Sequence, residues 1–578
     1  MIPCLMKGYE LYSNHRFAVG IGLCLAAIFI SGCGSEAAEG AESVAEASMT
    51  AAPAVTATAK PATAMSTPSL AATNTATAVT STPTAVRTKT ATAVRPTPTV
   101  TSQPTNADTT RQTATTGVIK TSTTNITLPT YPIQDYLVEQ LDPVYNIPAL
   151  YFNRPAFEAA APDPRPVEYE GVVLENAYVR LTFLPELGGR LYSAVVKATG
   201  QEIFYHNNVV KPSRYGVLQP YEANWWLAAG GMEWAYPTQE HGYRWGVPWT
   251  YEIDQNSSGA TITLSDIAPD RVGVEVRVTL PANSAVFTVA PKLVNPTAKT
   301  VPVQFWLNAA LALAPGSMSG ETEFVVPVEQ ITVHSRGEDG WTVPDAHTET
   351  AWPIVGETDL RDYGQWANYL GFFMPYLNAP FMGAYNPATN LGVVRLVEPG
   401  VVPGNKLFAF SPTFPDRSYT DGDSQYFEIW GGANVGFWAE DDLLVRSGGI
   451  LQWQEAWWPI AGLDGLTWAN QKAAIYLDQV GNDFTLSALV PRPTRGTLII
   501  EAGQTPLLTE PFSADPATPH RWDFSTTRRP VRVQLAAGDG TPLLEYCLPA
   551  VWPTHRGPVG WRRNSLIGIL PGLLNGCP

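Results

Sequence analysis

Cysteine is scarce in this chain. There are five, and they form neither a CxxC pair nor a zinc-type cluster, which excludes a thiolate-held metal site. Charge is scarce as well, at 15% of residues, and the acidic side dominates to give a formal net charge of −16. No basic stripe exists to hold a polyanion, so nucleic acid is not an expected partner. Strands and helices do not alternate in a βαβ pattern, which argues against a parallel sheet. The 51 prolines disfavour long helices. No metal and no cofactor is expected.

Long apolar runs are confined to the start. Lys7, His15 and Arg16 form a basic leader, and Phe17 to Ile30 is an apolar stretch too short for a comfortable membrane span. It ends in Ile30-Ser31-Gly32-Cys33, which resembles the lipobox of bacterial lipoproteins. That resemblance implies cleavage before Cys33, lipid on its thiol, and a mature protein held at the cell membrane outside the cytoplasm. Of the remaining cysteines, Cys4 and Cys24 leave with the signal. Cys547 and Cys577 are left as an even pair, either a disulfide pinning the C-terminal tail or two free thiols.

Five segments are expected. Residues 1–33 are the signal peptide. Residues 34–127 are dominated by Thr, Ala, Pro, Ser and Val and lack the large apolar side chains needed to offset ordering entropy, so they read as a disordered stalk. Residues 128–480 carry many short alternating segments. Val179, Leu181 and Phe183 share one face, and Arg190 to Val196 leads through Lys197-Ala198-Thr199-Gly200 into Glu202 to Tyr205 as a hairpin. These strands are too many for one small sandwich and suggest a large all-β, two-sheet antiparallel assembly. Residues 481–550 read as a small β-sandwich. Residues 551–578 form a Gly/Pro-rich tail whose Leu566–Leu574 stretch is expected to pack back on the domain.

What the chain has in plenty is tryptophan, and it is concentrated. Fifteen of the 18 tryptophans lie between Trp225 and Trp468. The densest stretch is Gly230-Gly231-Met232-Glu233-Trp234-Ala235-Tyr236-Pro237-Thr238-Gln239-Glu240-His241-Gly242, flanked by Trp225, Trp226, Trp245 and Trp249. Flat aromatic faces cover the C–H faces of a pyranose, and carboxylates accept bonds from its hydroxyls. The same composition also suits a buried aromatic core. A second cluster, Trp453-Gln454-Glu455-Ala456-Trp457-Trp458, places Trp453, Glu455 and Trp457 on one face of a strand. Tyr426, Glu428 and Trp430 alternate in the same way. Asp421 and Asp423 flank a turn, where solvation is favoured over calcium binding.

The order of these motifs resembles a known family. Leu184-Pro185-Glu186-Leu187-Gly188-Gly189-Arg190-Leu191-Tyr192-Ser193 runs into Lys197-Ala198-Thr199-Gly200-Gln201-Glu202-Ile203-Phe204-Tyr205-His206-Asn207-Asn208. Lys211-Pro212, the Gly-Gly-Met-Glu-Trp segment and Gln454-Glu455-Ala456-Trp457-Trp458-Pro459 follow. This is similar to an uncharacterised bacterial domain-of-unknown-function family, often fused to tetratricopeptide repeats, within the galactose mutarotase-like superfamily. The resemblance spans about Val167 to Leu477. The repeats are missing here, and Tyr221–Trp226 departs from the family's pattern.

The resemblance implies a β-supersandwich with a sugar-binding face. It also implies a histidine acting as general acid on the ring oxygen and a glutamate acting as general base on the anomeric hydroxyl. His241 and Glu455 are the candidates for those roles, with structural readings open for both: a backbone-bonded histidine, and an ion-paired carboxylate with Arg190 as the suggested partner. Glu233 is a candidate substrate contact or an alternative base, and Arg190, Trp234, Trp457 and Glu428 are further candidate substrate contacts. Three functions compete: a mutarotase-like epimerase, a carbohydrate-binding lipoprotein without catalysis, and an envelope scaffold. The enzyme requires His241 and Glu455 to face each other across a pyranose-sized gap. A scaffold requires no concave aromatic pocket.

Overall fold

The folded region opens with a strand inside the expected stalk. The computed structural model describes residues 117–142, 148–214, 225–237, 240–244, 246–338, 340–398, 400–411 and 419–548. Within it, Lys120–Thr130 pairs antiparallel with Arg165–Glu175 along its whole length. The stalk boundary at 127 therefore moves back to about 119. The strand's threonines look like linker composition, but β-branched threonine also suits a half-buried strand. Ile126 and Leu128 give it its packed face. Cys33, the rest of the stalk, Trp245, Cys577 and the 551–578 tail lie outside the described residues.

Two large sheets make the body. One has thirteen strands. Its centre runs Gly404–Ala409, Phe427–Gly432, Trp306–Leu311, Trp225–Ala235 and His206–Arg214, all antiparallel neighbours. The other has nine strands, with Phe287–Val294, Glu455–Ala461 and Leu391–Leu396 at its middle. The large-sheet pairings are antiparallel apart from one parallel contact, Thr130 with Val210. Alternation explains the layering. Leu307, Ala309 and Leu311, with Phe427, Ile429, Leu407 and Ala409, join one core with Val276, Val289 and Val393 of the second sheet. The intervening Trp306, Asn308, Glu428, Trp430 and Lys406 project from the opposite, outer face of the thirteen-stranded sheet. The fold is an all-β antiparallel supersandwich.

Strand Trp225–Ala235 changes partner midway. Trp225 to Ala228 pair with Lys211–Arg214, and Met232 pairs with Leu191. Gly230 and Gly231 sit between with φ of 86° and 74°. A β-carbon at either would collide with the backbone of Tyr205 or Leu191, so both positions need glycine.

The small sandwich starts earlier than residue 481. Ala474–Val480 pairs with Asp483–Leu489, and Gly481 is in the turn of that hairpin. Two four-stranded sheets, beginning at Trp468 and ending at Leu548, enclose Leu486, Ile500, Trp522 and Val533. Cys547 on the last strand stands in a disulfide.

Candidate functional site

Four residues form a row across the outer face of the thirteen-stranded sheet. Glu233 is the register partner of Asn308, Asn308 of Trp430, and Trp430 of Lys406. The next row is Gly231, Ala310, Glu428 and Phe408. Small residues in the second row leave a small, partly open hollow. Arg190, Glu233, Asn308 and Ala310 line it, with Trp226, Tyr205, Tyr419 and Tyr426 as aromatic walls.

Glu233 is the most tightly held group there. Oε2 accepts from Arg190 at 3.1 Å. Oε1 lies 2.5 Å from His241 Nδ1 and accepts from Asn308 Nδ2 at 3.3 Å. Burial alone would raise its pKa, but His241, Arg190 and Asn308 together overcome that and hold the carboxyl below its usual range. Arg190 also donates to the carbonyls of Gly230 (2.8 Å) and Leu227 (3.4 Å), so it fixes the glycine bulge as well as the acid. Asn308 Nδ2 donates to Glu428 Oε1 at 3.3 Å, and Trp430 Nε1 donates to Glu428 Oε2 at 2.8 Å. One amide thus bridges two carboxylates.

His241 reaches Glu233 from a turn. Glu240 and Gly242 take φ of 54° and 62° around it, and a β-carbon at Gly242 would strike the Tyr236 backbone. The turn is tied down by Arg244, whose Nε donates to Asp266 Oδ2 at 2.7 Å. Asp266 also binds Arg271 at 2.6 Å and the Tyr236 hydroxyl. The His241 ring stacks on Trp226 with centroids 4.4 Å apart and planes 7° apart, and meets Trp430 edge-on at 5.1 Å. Nδ1 is thus placed to donate to the carboxylate.

Lys406 closes the far end of the row. Its ammonium lies 4.3 Å from the Trp430 ring centre, 4.9 Å from Phe437 and 5.4 Å from Phe408. Burial pushes its pKa down to about 8, against the opposing pull of Glu428 and Glu240. Burial raises the pKa of Glu240, which His241 and Lys406 oppose and Glu428 supports. His334 is held well below its ordinary value by burial, then by Lys406 and His347.

Glu455 is elsewhere. It belongs to the nine-stranded sheet, where its carboxylate takes Arg395 Nε at 3.2 Å, Arg395 Nη2 at 2.7 Å and Trp457 Nε1 at 2.8 Å. Both partners of the ion pair have fully buried side chains. Arg395 reaches onward to Gly404 and Asn405 of the other sheet, so the pair lies between the layers. The expected encounter of Glu455 with His241 does not occur, and the suggested partner Arg190 is spent on Glu233. Alternation correctly set Glu455 beside Trp457, but this strand is buried on both faces and its inner side is not a trough. Trp234 and Trp457 are corrected likewise. Both lie in the main core, and Trp234 Nε1 is bonded to the Gly189 carbonyl at 2.8 Å. Asp421 is an ion-pair partner of Lys211 at 3.0 Å and accepts from Asn207 at 2.8 Å. No group of three metal-binding side chains occurs among the described residues.

Residues 145–451 match the family described as "Domain of unknown function (DUF5107)", more than half of the chain. The chain belongs to this family. The matched span takes in Arg190, Glu233, His241, Asn308, Lys406 and Glu428 and stops short of Glu455 and Trp457. Among solved structures, the chain is similar to a TPR-domain containing protein from Parabacteroides distasonis. Identity is 22% and the TM-score 0.47, over 59% of this chain and 55% of that one, so the chain spans about half of that protein's length. It is also similar to a galactose mutarotase-like protein from Clostridium acetobutylicum (10% identity, TM-score 0.34, 51% of this chain and 95% of that one). A putative aldose 1-epimerase from Escherichia coli K12 matches at 13% identity and a TM-score of 0.32, over 49% of this chain and 97% of that one.

Asn308, Lys406 and Tyr205 are not among the residues the sequence marks for the site, and Trp226 is marked only as one of the flanking tryptophans. A lone amide in the apolar run Trp306-Leu307-Asn308-Ala309-Ala310 was a usable signal. So was a lone lysine before Leu407-Phe408-Ala409-Phe410.

Proposed function

We propose that this protein binds carbohydrate in the outer-face pocket. The observation that carries the reading is Glu233: an ionised carboxylate held by three side chains inside an aromatic-walled pocket. Such a group accepts bonds from sugar hydroxyls while the flat rings cover the C–H faces. Its low pKa suits hydrogen-bond acceptance better than proton removal.

A catalytic version has its own support. His241 is bonded through Nδ1 to Glu233, an arrangement that orients an imidazole for proton transfer at Nε2. In that version the site interconverts anomers. His241, protonated on both ring nitrogens, gives its Nε2 proton to the ring oxygen as the anomeric hydroxyl gives one up to a carboxylate, and the reverse steps return both protons and close the ring on the other face. Glu428, joined to Glu233 through Asn308, is the carboxylate we assign to that step, in place of Glu455.

We further propose that Cys33 carries lipid and that the Thr/Ala/Pro-rich segment after it holds the β-domains away from the outer surface of the cell membrane. A glycan array with the full chain tests the binding reading, and anomer-exchange NMR on any hit tests turnover. Binding without accelerated exchange selects the binding protein. Absence of binding to every glycan rejects both versions.

A further inference from the structure

Three residues that line this pocket each carry a buried polar atom without a hydrogen-bond partner. The atoms are Asn308 Oδ1, Trp226 Nε1 and Arg190 Nε, all shielded from solvent. Buried donors and acceptors are nearly always paired, so unpaired ones on three residues lining one pocket point to ordered water or to ligand hydroxyls that take its place. The orientation of the Asn308 amide is set by chemistry. Its Nδ2 faces Glu233 Oε1 and Glu428 Oε1, both at 3.3 Å. The flipped amide would turn an oxygen towards two carboxylates. Oδ1 is therefore the free acceptor.

The unpaired set is two N–H donors and one carbonyl acceptor. Its complement is a ligand with at least two oxygen acceptors and one O–H donor. A carboxylate or phosphate would satisfy Trp226 and Arg190 but leave Asn308 Oδ1 unpaired, and would set a negative charge beside Glu233 and Glu428. An ammonium would satisfy Asn308 and leave both donors unpaired. Hydroxyl groups do both jobs, since each donates once and accepts as well.

We propose that the pocket selects a neutral, polyhydroxylated ligand, with one hydroxyl donating to Asn308 Oδ1 and ligand oxygens accepting from Trp226 Nε1 and Arg190 Nε. This rests on the carbohydrate reading and makes it narrower: neutral sugars are taken, uronic acids and amino sugars are refused. Asn308 and Trp226 are its specificity-determining residues.

The test is a binding panel by ligand-observed NMR with the full chain. The probes are galactose, glucose and mannose, their monodeoxy counterparts, galacturonate and galactosamine. Trp226→Phe is the main variant, because phenylalanine keeps a ring on His241 and removes the unpartnered N–H together with part of the indole. It is expected to remain folded, checked by its melting temperature, since the lost unpaired N–H offsets part of the lost packing. Its affinity for the preferred neutral sugar is expected to fall roughly three- to tenfold, the range for one lost hydrogen bond. One monodeoxy analogue is expected to bind both proteins equally. Asn308→Ala is expected to become indifferent to a different deoxy position. Neutral sugars that bind with the same affinity to Trp226→Phe and wild type would overturn the assignment. So would galacturonate binding as tightly as galactose. Failure of every neutral sugar to bind the wild type would overturn the carbohydrate reading itself, and this assignment with it.

Discussion

His241 Nδ1 lies 2.5 Å from Glu233 Oε1, with the imidazole clamped between the face of Trp226 and the edge of Trp430. The two residues are eight apart in sequence, yet they meet because the strand ends in a turn that folds back over its own outer face. Glu233 also carries Arg190 and Asn308, so the histidine is oriented by a carboxylate that cannot itself move.

Glu455 is expected to be structural. Glu455→Gln leaves the Arg395 guanidinium buried without its counter-charge, which typically costs about 3–5 kcal/mol. Urea denaturation at neutral pH checks this. Ligand affinity of the folded fraction is expected to be unchanged, and a stable variant with lost binding would return Glu455 to the site.

Lys406 is expected to make stability depend on alkaline pH. Burial lowers its pKa to about 8 from an ordinary 10.5, so the folded state releases its proton first. Between about pH 8 and 10.5 the unfolded chain binds more protons, and stability rises with pH across that window. Below about pH 8 the folded protein bears the full cost of the charged amine. A shift of this size corresponds to on the order of 3 kcal/mol, and loss of the contact with Trp430 offsets about 1 kcal/mol of it. Lys406→Met is expected to be more stable than wild type at pH 7, with the difference shrinking towards pH 10. Guanidinium melts at the two pH values measure it.

The strand Lys120–Thr130 sets where the chain can be shortened. It fills the gap between His206–Arg214 and Arg165–Glu175 in the thirteen-stranded sheet. A protein starting at Leu128 is expected to aggregate or melt well below one starting at Thr113, by differential scanning fluorimetry. Equal melting temperatures would mean that this pairing contributes nothing.

The composition and alternation of this chain made the all-β layering legible, together with the outward set Tyr426, Glu428, Trp430 and the motif carrying Glu233 and His241. Alternation could not tell one sheet's outer face from the space between two sheets, which is why Glu455 and Trp457 looked like a trough. Nor could it reveal register. Only the pairing of Trp306–Leu311 with Trp225–Ala235 and Phe427–Gly432 sets Asn308 between Glu233 and Trp430. The boundary expected at 481 falls on a hairpin turn, because a turn and a domain boundary use the same residues.

Cys33→Ser is expected to abolish lipid attachment. Wild-type protein is expected to partition into the detergent phase and the variant into the aqueous phase, or to remain unprocessed. Equal partitioning of the two would reject the anchor.

The central claim is that sugar binds on the outer face, over the Gly231 and Ala310 floor. Saturation-transfer NMR with the full chain and a neutral monosaccharide tests it most directly, with Ala310→Leu as the pocket-filling control. Transfer to the sugar C–H protons is expected in the wild type and its loss in Ala310→Leu, with both proteins folded. Transfer that persists undiminished in a folded Ala310→Leu protein would place the sugar elsewhere and contradict the account.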